Sequence, residues 1–283
     1  MKIAINGANG FVGEYLSRYF SSLKHQITKI PRSIYNDTKA LEDMINGCDV
    51  IINLAGASIA KKWSQSYKKE LRSSRLETTK NLVKAMSNLN LKPKLFISTS
   101  AVGIYENGKS HDESSSEFDE GFLGDLAKEW EKEALKAQEF GIKTAIFRLS
   151  VVLGKGGALK QMLPIFKLGL GGILADGKQG FSWIDIKDLA RAYEFVILKG
   201  SEGVYNLSSP NPITNKEFTA SLAKVLNRPA FFKVPKFVLK LRFSEGSTIL
   251  LDGQKVYPAK LLKEGFKFEY PSINESLQSL LKS

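Results

Sequence analysis

The sequence of 283 residues predicts an α/β fold, a doubly wound parallel sheet with helices on both faces. Two observations carry this prediction. Short apolar runs alternate with runs of helical periodicity through about residue 150, and the first apolar run breaks into a glycine-rich turn. Strands that alternate with helices are expected to be parallel, because each helix carries the chain back across the sheet.

The first βαβ unit is predicted at the N-terminus, with a strand at 2–5, an amphipathic helix at 14–23 and a second strand at 26–30. Glycines spaced as G-x-x-G-x-x-G separate the first strand from the helix. The first glycine permits a sharp turn, the second lets a pyrophosphate approach the backbone, and the third lets the helix pack close to the sheet. A helix N-terminus at this point would hold the phosphates. We therefore predict a nucleotide-binding turn made of Gly7, Asn9, Gly10, Phe11, Val12 and Gly13.

The end of the second strand predicts which dinucleotide binds. NAD sites usually carry an acidic residue there for the ribose hydroxyls. No acidic residue occurs between Glu14 and Asp37, and Lys29 and Arg32 flank the strand end. A guanidinium forms paired, charge-assisted hydrogen bonds to phosphate, so Arg32 is predicted to bind the 2′-phosphate, and NADP(H) is preferred over NAD(H). A solvated surface arginine is the alternative interpretation.

The same alternation continues to residue 150. Strands are predicted at 49–54, 95–100 and 143–149, and helices at about 74–88 and 122–140. After the first of these strands, Ala55 and Gly56 are small enough for a backbone that passes close to a nucleotide. The loop at 106–120 is rich in acidic residues and long enough to be functional, although a solvated excursion is equally consistent with it.

The sequence pattern changes after Gly154, where frequent glycines indicate loops and short helices. A helix is predicted at 186–198, a strand at 204–207, and a capping box, Thr214-x-x-Glu217, opens another helix. We predict a dinucleotide-binding domain at 1–155, with a later strand and helix at about 181–208 returning to it. Residues 156–283 would form a smaller C-terminal α/β region that completes the substrate cleft.

The composition excludes several classes of protein. Cys48 is the only cysteine, which excludes a disulfide framework and a cysteine-based metal site, and His25 and His111 have no ligand-spaced partner, so no metal is expected. No apolar run is long enough to span a membrane, and the N-terminus lacks the pattern of a signal peptide. We therefore expect a reducing, cytoplasmic location.

The formal net charge of +12 raises the question of an anionic partner. The segment 228–243 interleaves basic residues with phenylalanines, as nucleic-acid and membrane-surface segments do. However, Phe237, Val238 and Leu241 also fit a helix with one core face and one solvated basic face. We favour that interpretation and expect a small-molecule substrate, no nucleic acid and no membrane.

The chain resembles the extended short-chain dehydrogenase/reductases, and among them the "epimerase family protein" branch, which carries a C-terminal domain of unassigned function. The matching features run the whole length: the Gly7/Gly10/Gly13 turn, Asn53-Leu54-Ala55-Gly56, Ser74-Arg75, Ser98-Thr99-Ser100-Ala101, Trp130-Glu131, Phe147-Arg148-Leu149, Trp183-Ile184, Gly253-Gln254 and Gly265-Phe266. The resemblance implies a Rossmann-type fold, with cofactor contacts extended to Leu54, Ala55, Gly56 and Ser98.

Catalysis in this superfamily uses a tyrosine, a lysine four residues later and an orienting serine or threonine. The resemblance gives Ser100 the orienting role, but Phe122 and Leu126 stand where the Tyr-x-x-x-Lys pair is expected. Tyr105 is the leading candidate for a substitute proton donor, with packing or substrate contact as its alternative. Asp125 and Lys128 are further candidates, for which surface solvation is the more ordinary role. Arg75 and Arg148 would either bind an anionic substrate or pair with carboxylates.

These features imply an NADP(H)-binding oxidoreductase, or an enzyme like the nucleotide-sugar epimerases, that acts on a small polar substrate. A non-catalytic NADP(H)-binding sensor or regulatory protein is the alternative, because the Tyr/Lys pair is missing. A homodimer is a further expectation.

Overall fold

The computed structural model describes residues 1–282. Its strands are β1 (Lys2–Asn6), β2 (Gln26–Ile30), β3 (Val50–Asn53), β4 (Leu95–Ala101), β5 (Ser110–His111), β6 (Lys143–Leu149), β7 (Val151–Leu153), β8 (Gly172–Leu174), β9 (Gly180–Phe181), β10 (Trp183–Asp185), β11 (Gly203–Leu207), β12 (Ile213–Thr214), β13 (Phe232–Val234) and β14 (Lys255–Val256). Its α-helices are α1 (Phe11–Ser22), α2 (Thr38–Ile45), α3 (Gln65–Asn88), α4 (Phe122–Leu135), α5 (Gly157–Lys167), α6 (Ile186–Lys199), α7 (Asn215–Leu226), α8 (Lys236–Phe243), α9 (Thr248–Leu251), α10 (Ala259–Lys263) and α11 (Ile273–Leu281).

Six parallel strands form the central sheet in the order β11-β6-β4-β3-β1-β2. The chain moves from β1 to β2 on one side and from β3 outward on the other, so the strand order reverses between β1 and β3. In open α/β sheets this reversal creates a crevice at the carboxyl ends of the strands, where ligands bind. The predicted fold class is confirmed, and the glycine turn lies at the reversal.

The strands read as continuous apolar runs because both faces of the sheet are buried. Alternate residues of β1 point to opposite faces, so Ile3 and Ile5 pack with Leu16 of α1 in one core. Ala4 packs in a second core with residues of α2 and α3. Helices on both faces leave the carboxyl edge of the sheet as the place where polar side chains can collect.

Four small two-stranded sheets lie outside the central sheet in the described chain. The strand predicted at 204–207 is β11, which forms the edge of the central sheet beside β6. The capping box at α7 is formed as predicted, because the Thr214 hydroxyl accepts the Glu217 N–H and the Glu217 carboxylate accepts the Thr214 N–H. The acidic loop is tied down: β5 pairs with β14, and the Glu113 carboxylate accepts the N–H groups of Asn206 and Lys260 at 2.9 and 3.1 Å.

Two sequence expectations differ from the structure. Helix α3 begins at Gln65, well before the predicted start, because the Ser64 hydroxyl accepts the Tyr67 N–H and caps it. Helix α8 does not bury the stripe expected to face the core: Phe237 and Leu241 are exposed, and Leu239 is the buried residue of the helix. Within residues 1–282, no helix is both long enough and apolar enough to cross a bilayer.

Candidate functional site

The glycine turn lies at the crevice and is shaped by close backbone contacts. Gly7 has φ +80°, and an added Cβ would lie 2.8 Å from the carbonyl carbon of Leu54, so the turn touches the segment after β3. A Cβ on Gly13 would lie 2.3 Å from the Gly7 carbonyl oxygen. At Gly10 the nearest atom would be 3.3 Å away, and this residue is exposed. The chain's own packing therefore requires Gly7 and Gly13, while the outer side of Gly10 is open to a ligand.

The N-terminus of α1 opens onto the same crevice. Gly10 is its N-cap residue and offers no side chain, so no side-chain acceptor caps the helix. The first N–H groups of a helix have no partner within it, and they carry the positive end of the helix dipole. Phe11 anchors the turn, because the loop of Gly154, Gly156 and Gly157 packs directly on its ring. The arrangement suits a pyrophosphate.

A row of polar side chains crosses the carboxyl ends of β1, β3 and β4. Asn6 donates to the Asn53 side-chain oxygen at 3.0 Å, and Asn53 donates to the Thr79 hydroxyl at 2.8 Å. The Asn6 side-chain oxygen and the Ser98 hydroxyl are buried and have no hydrogen-bond partner within residues 1–282. Buried polar atoms without partners are costly. Their place beside the glycine turn fits a bound dinucleotide, which would supply donors and acceptors at this edge.

Arg32 follows β2 and is exposed. The turn that carries it is held by Tyr35, whose hydroxyl accepts the Gly7 N–H at 3.1 Å and whose carbonyl accepts the Asn81 side chain at 3.0 Å. Burial raises the pKa of Tyr35, so its hydroxyl keeps its proton. The roles of Tyr35 and Asn81 are not predicted from the sequence, since nothing in their local pattern shows that Tyr35 meets the glycine turn or that Asn81 meets Tyr35.

Ser100 lies on the other side of the crevice in a buried network. Its hydroxyl donates to Glu131 at 2.6 Å, and Arg148 donates to both oxygens of the same carboxylate at 2.8 and 2.7 Å. Arg148 also donates to the Tyr105 hydroxyl at 2.7 Å, and that hydroxyl donates to Asn206 at 2.9 Å. Burial alone would lower the pKa of Arg148, but its bonds to Glu131 outweigh burial and raise it. Of the two roles foreseen for Arg148, the structure shows pairing with a carboxylate.

Tyr105 is fully buried, and its ring stacks on His111 with 5.0 Å between ring centroids. Burial raises the pKa of its hydroxyl, and both hydrogen-bonding directions of that hydroxyl are occupied. A proton donor must lie within hydrogen-bond reach of the reacting group. The surroundings of Tyr105 match the packing alternative, and a proton-donor role would require this network to open.

The positions that replace the Tyr/Lys pair lie in an apolar cluster. Leu126 is buried with Trp63 and Leu71, and Phe122 packs against the same cluster, edge-on to Trp63 at 5.4 Å. Ile249 of the C-terminal region joins them. Asp125 and Lys128 pair with each other at 2.8 Å on the surface of α4. A hydroxyl and an ammonium are thus replaced by packing.

Arg75 differs from Arg148. Its guanidinium donates to the carbonyl oxygens of Leu71 and Ala57 at 3.1 and 3.0 Å and lies between Gly56 and the Trp130 ring. Burial lowers its pKa to about 10. No carboxylate within residues 1–282 forms an ion pair with it. A half-buried cation without a counter-ion, next to the segment after β3, can receive an anionic group.

Two family models match the chain. The model described as "NAD dependent epimerase/dehydratase family" matches residues 3–208. The chain belongs to the NAD-dependent epimerase/dehydratase family. The model described as "Domain of unknown function (DUF1731)" matches residues 234–280. The predicted resemblance is confirmed, including its C-terminal domain.

Members of the family in distant organisms are similar over nearly the whole chain. The chain is 34% identical to the "Epimerase family protein SDR39U1 homolog, chloroplastic" of Arabidopsis thaliana, covering 100% of this chain and 87% of that protein. It is 33% identical to the "Epimerase family protein YfhF" of Bacillus subtilis (strain 168), covering 99% and 98%. The structure resembles the crystal structure of the human epimerase family protein SDR39U1 (isoform 2) with NADPH, with a TM-score of 0.92, 30% identity, and coverage of 100% and 99%.

Proposed function

We propose that the protein is an NADP(H)-dependent oxidoreductase of the epimerase family that acts on a small polar substrate with an anionic group. The observation that carries the proposal is the carboxyl edge of the sheet. An uncapped helix N-terminus, the open side of Gly10 and the unpartnered atoms of Asn6 and Ser98 converge there. The similarity to a human relative crystallised with NADPH supports the same assignment.

Selectivity for the 2′-phosphate is assigned to Arg32. Tyr35 and Asn81 fix the turn that carries it beside the glycine turn, and the strand end has no acid that would repel a phosphate. Because the backbone of this turn is already ordered, less freedom is lost when the guanidinium binds. The Tyr35 hydroxyl, whose oxygen already accepts the Gly7 N–H, retains a proton that it can donate to the cofactor.

Substrate recognition is assigned to Arg75, with Ser100 as the orienting group. Three of the five N–H donors of Arg75 remain beyond its two carbonyl contacts. The Ser100 proton is directed at Glu131, so the serine oxygen is left as an acceptor that suits a substrate hydroxyl. The nicotinamide ring supplies the hydride chemistry when the cofactor is bound.

Two observations favour the sensor hypothesis. Phe122 and Leu126 are integrated in an apolar cluster, and Tyr105 has no exposed surface. The two hypotheses differ in turnover. An enzyme should oxidise bound NADPH when a panel of carbonyl compounds and sugar nucleotides is added, and Ser100→Ala should lose that turnover. Persistent NADPH fluorescence across the panel would instead support a sensor.

The cofactor assignment is tested by titration calorimetry with NADPH and NADH. Arg32→Glu should weaken NADPH binding by about 1–3 kcal/mol through the loss of a charge-assisted contact, with little effect on NADH. The matched control is Arg18→Glu, since Arg18 is an exposed arginine of α1 whose partner is Glu14. Equal NADPH affinity of Arg32→Glu and the parent would refute the 2′-phosphate role.

The homodimer and the cytoplasmic location stay predictions, and one relative is named chloroplastic.

A further inference from the structure

One surface of the later part of the chain combines exposed apolar side chains with cations, and we call it the basic–apolar surface. The most exposed of its apolar side chains are Phe231 at 88%, Leu241 at 80% and Leu168 at 74%. Its other exposed apolar residues are Ile165, Leu170, Phe232, Phe237 and Val238. Single exposed apolar residues are ordinary, but a contiguous group of this size marks an interaction site.

These residues lie close together because hydrogen bonds and chain connectivity join three segments. Strand β13, which contains Phe232, pairs with β8 just after Leu170. The Arg228 side chain donates to the Lys167 carbonyl at 2.9 Å, which fixes the loop after α5 beside the segment before β13. Helix α8 then follows β13 after Pro235. The loop, the strand and the start of the helix are therefore adjacent, which brings their exposed apolar side chains into one region of the surface.

Helix α8 turns an apolar stripe to solvent. Phe237 and Leu241 stand four residues apart, so they lie on the same side of the helix, and both are exposed. Leu239 faces the protein instead. Lys236 and Lys240 form a second exposed stripe beside the apolar one. The sequence predicted that the apolar stripe of this helix faces the core, and that prediction argued against a membrane partner. Because the stripe is exposed, the argument no longer holds.

The charge of the surface has one sign. Its exposed cations are Lys160, Lys167, Arg228, Lys233, Lys236, Lys240 and Arg242. No acidic residue occurs between Glu139 and Asp176, or between Glu217 and Glu245. Three acids lie at its margin. Asp252 interacts electrostatically with Lys236 and Lys240, Glu245 pairs with Lys68, and Asp176 follows Ala175, whose N–H donates to the Val234 carbonyl. The surface consequently attracts anions.

We propose that the basic–apolar surface docks the protein on an anionic membrane surface, with the phenylalanines and leucines in the headgroup region and the lysines and arginines on acidic lipids. A helix with a Phe/Leu side flanked by Lys binds bilayers in this way without spanning them. A second copy is the poorer occupant, because a symmetric contact would set these cations against each other. Nucleic acid is also poorer, since the aliphatic residues Ile165, Leu168, Leu170 and Leu241 neither stack on bases nor bind phosphate.

Co-sedimentation of the full chain with vesicles tests the proposal independently of cofactor binding. We expect binding to phosphatidylcholine vesicles that contain phosphatidylserine, and little binding to phosphatidylcholine alone. The triple variant Lys233→Glu, Lys236→Glu, Lys240→Glu should weaken binding to the acidic vesicles by at least about tenfold, because each cation near the surface contributes. The matched control reverses three exposed lysines elsewhere, Lys80→Glu, Lys84→Glu and Lys132→Glu, and should bind much as the parent does.

A second set of variants tests the apolar part. Phe231→Ser, Phe237→Ser and Leu241→Ser together should reduce vesicle binding even though every cation is kept. Leu91→Ser with Leu198→Ser, which changes leucines that are 76% and 68% exposed on other faces, should not. Because all these side chains are exposed, circular dichroism and thermal melting should show a folded protein in each case.

Three results would overturn the proposal. One is the absence of binding to acidic vesicles by the folded parent. Another is equal loss of binding in the surface variants and in the controls. The third is evidence for another occupant of the surface. In that case vesicle binding is absent, and Leu241→Ser abolishes either a concentration-dependent self-association or retention on nucleic acid.

Discussion

At the scale of the residue, Arg75 and Arg148 show that the surrounding groups decide whether an arginine is paired with a carboxylate. The sequence supports the same two interpretations for both residues: each arginine either binds an anionic substrate or pairs with a carboxylate. Arg148 meets Glu131 in a paired contact and is 5% exposed, whereas Arg75 meets only carbonyl oxygens. Arg148 is therefore paired within the fold, whereas Arg75 has no counter-ion and keeps N–H donors for the substrate role proposed above.

Replacement of Arg148 tests this division. Arg148→Met leaves the Glu131 carboxylate buried without its partner, and breaking such a pair costs about 3–5 kcal/mol of unfolding free energy. Adding Glu131→Leu removes the uncompensated charge and should restore part of that stability. Urea unfolding of the two variants and the parent measures both effects. A stable Arg148→Met variant that has lost only substrate binding would instead assign Arg148 to the substrate.

At the scale of the element, the glycine turn is specified by two kinds of constraint. Gly7 and Gly13 are fixed by backbone atoms of the turn and of the segment after β3, whereas a Cβ on Gly10 would meet only the Gly7 carbonyl oxygen, at 3.3 Å. The packing of α1 against the sheet and the shape of the phosphate site therefore depend on the same two glycines. Changes at these positions should affect stability and cofactor binding together.

Gly13→Ala is the direct test. The added methyl group would meet the Gly7 carbonyl oxygen and the Ala8 Cα, which cannot rotate away, so α1 must shift. We expect a loss of about 1–3 kcal/mol in unfolding free energy, as for other overpacked sites, together with weaker NADPH binding. Gly103→Ala is the control, because nothing lies within 4 Å of its added Cβ. Comparable stability of the two variants would show that α1 adapts without cost.

At the scale of the whole molecule, the acidic loop joins the sheet to the C-terminal region. The Glu113 carboxylate bridges the backbone of β11 and the first residues of α10, and β5 pairs with β14. Neither of the two interpretations offered for this loop, a functional loop or a solvated excursion, describes that structural role. The loop holds edge strand β11, and through it Asn206, against the network of Arg148 and Tyr105.

Glu113→Ala should therefore loosen this junction. It leaves the Asn206 and Lys260 N–H groups without their acceptor, at a cost of about 1–3 kcal/mol in unfolding free energy. Burial raises the pKa of Glu113 in the folded protein. Protonated Glu113 therefore contributes to the free energy of unfolding. This contribution is complete below the unfolded-state pKa, about 4.3, and is lost as pH rises through the folded-state pKa. The difference between parent and variant should shrink over that rise, as unfolding measured at several pH values would show. Glu120→Ala, an exposed acid of the same loop, is the control and should show neither effect.

How much of the structure can be predicted from the sequence depends on how far apart in the chain the interacting residues lie. The parallel sheet, the glycine turn and the capping box at Thr214 are written in residues a few positions apart, so periodicity and spacing predict them. The contact of Tyr35 with Gly7 joins residues 28 positions apart, and that of Arg148 with Tyr105 joins residues 43 apart. Helix α8 is the opposite error, because a pattern that usually indicates a core face is turned to solvent here.

By itself, the sequence determined the alternation of strands and helices, the glycine turn and the capping box at Thr214, because each depends on local conformational preference. Only the tertiary structure decided which arginine lacks a counter-ion, that the missing Tyr/Lys pair is replaced by packing, and that a basic helix exposes Phe237 and Leu241. Those outcomes depend on which distant segments meet, since charges are compensated and apolar surfaces buried only by neighbours that the fold brings together.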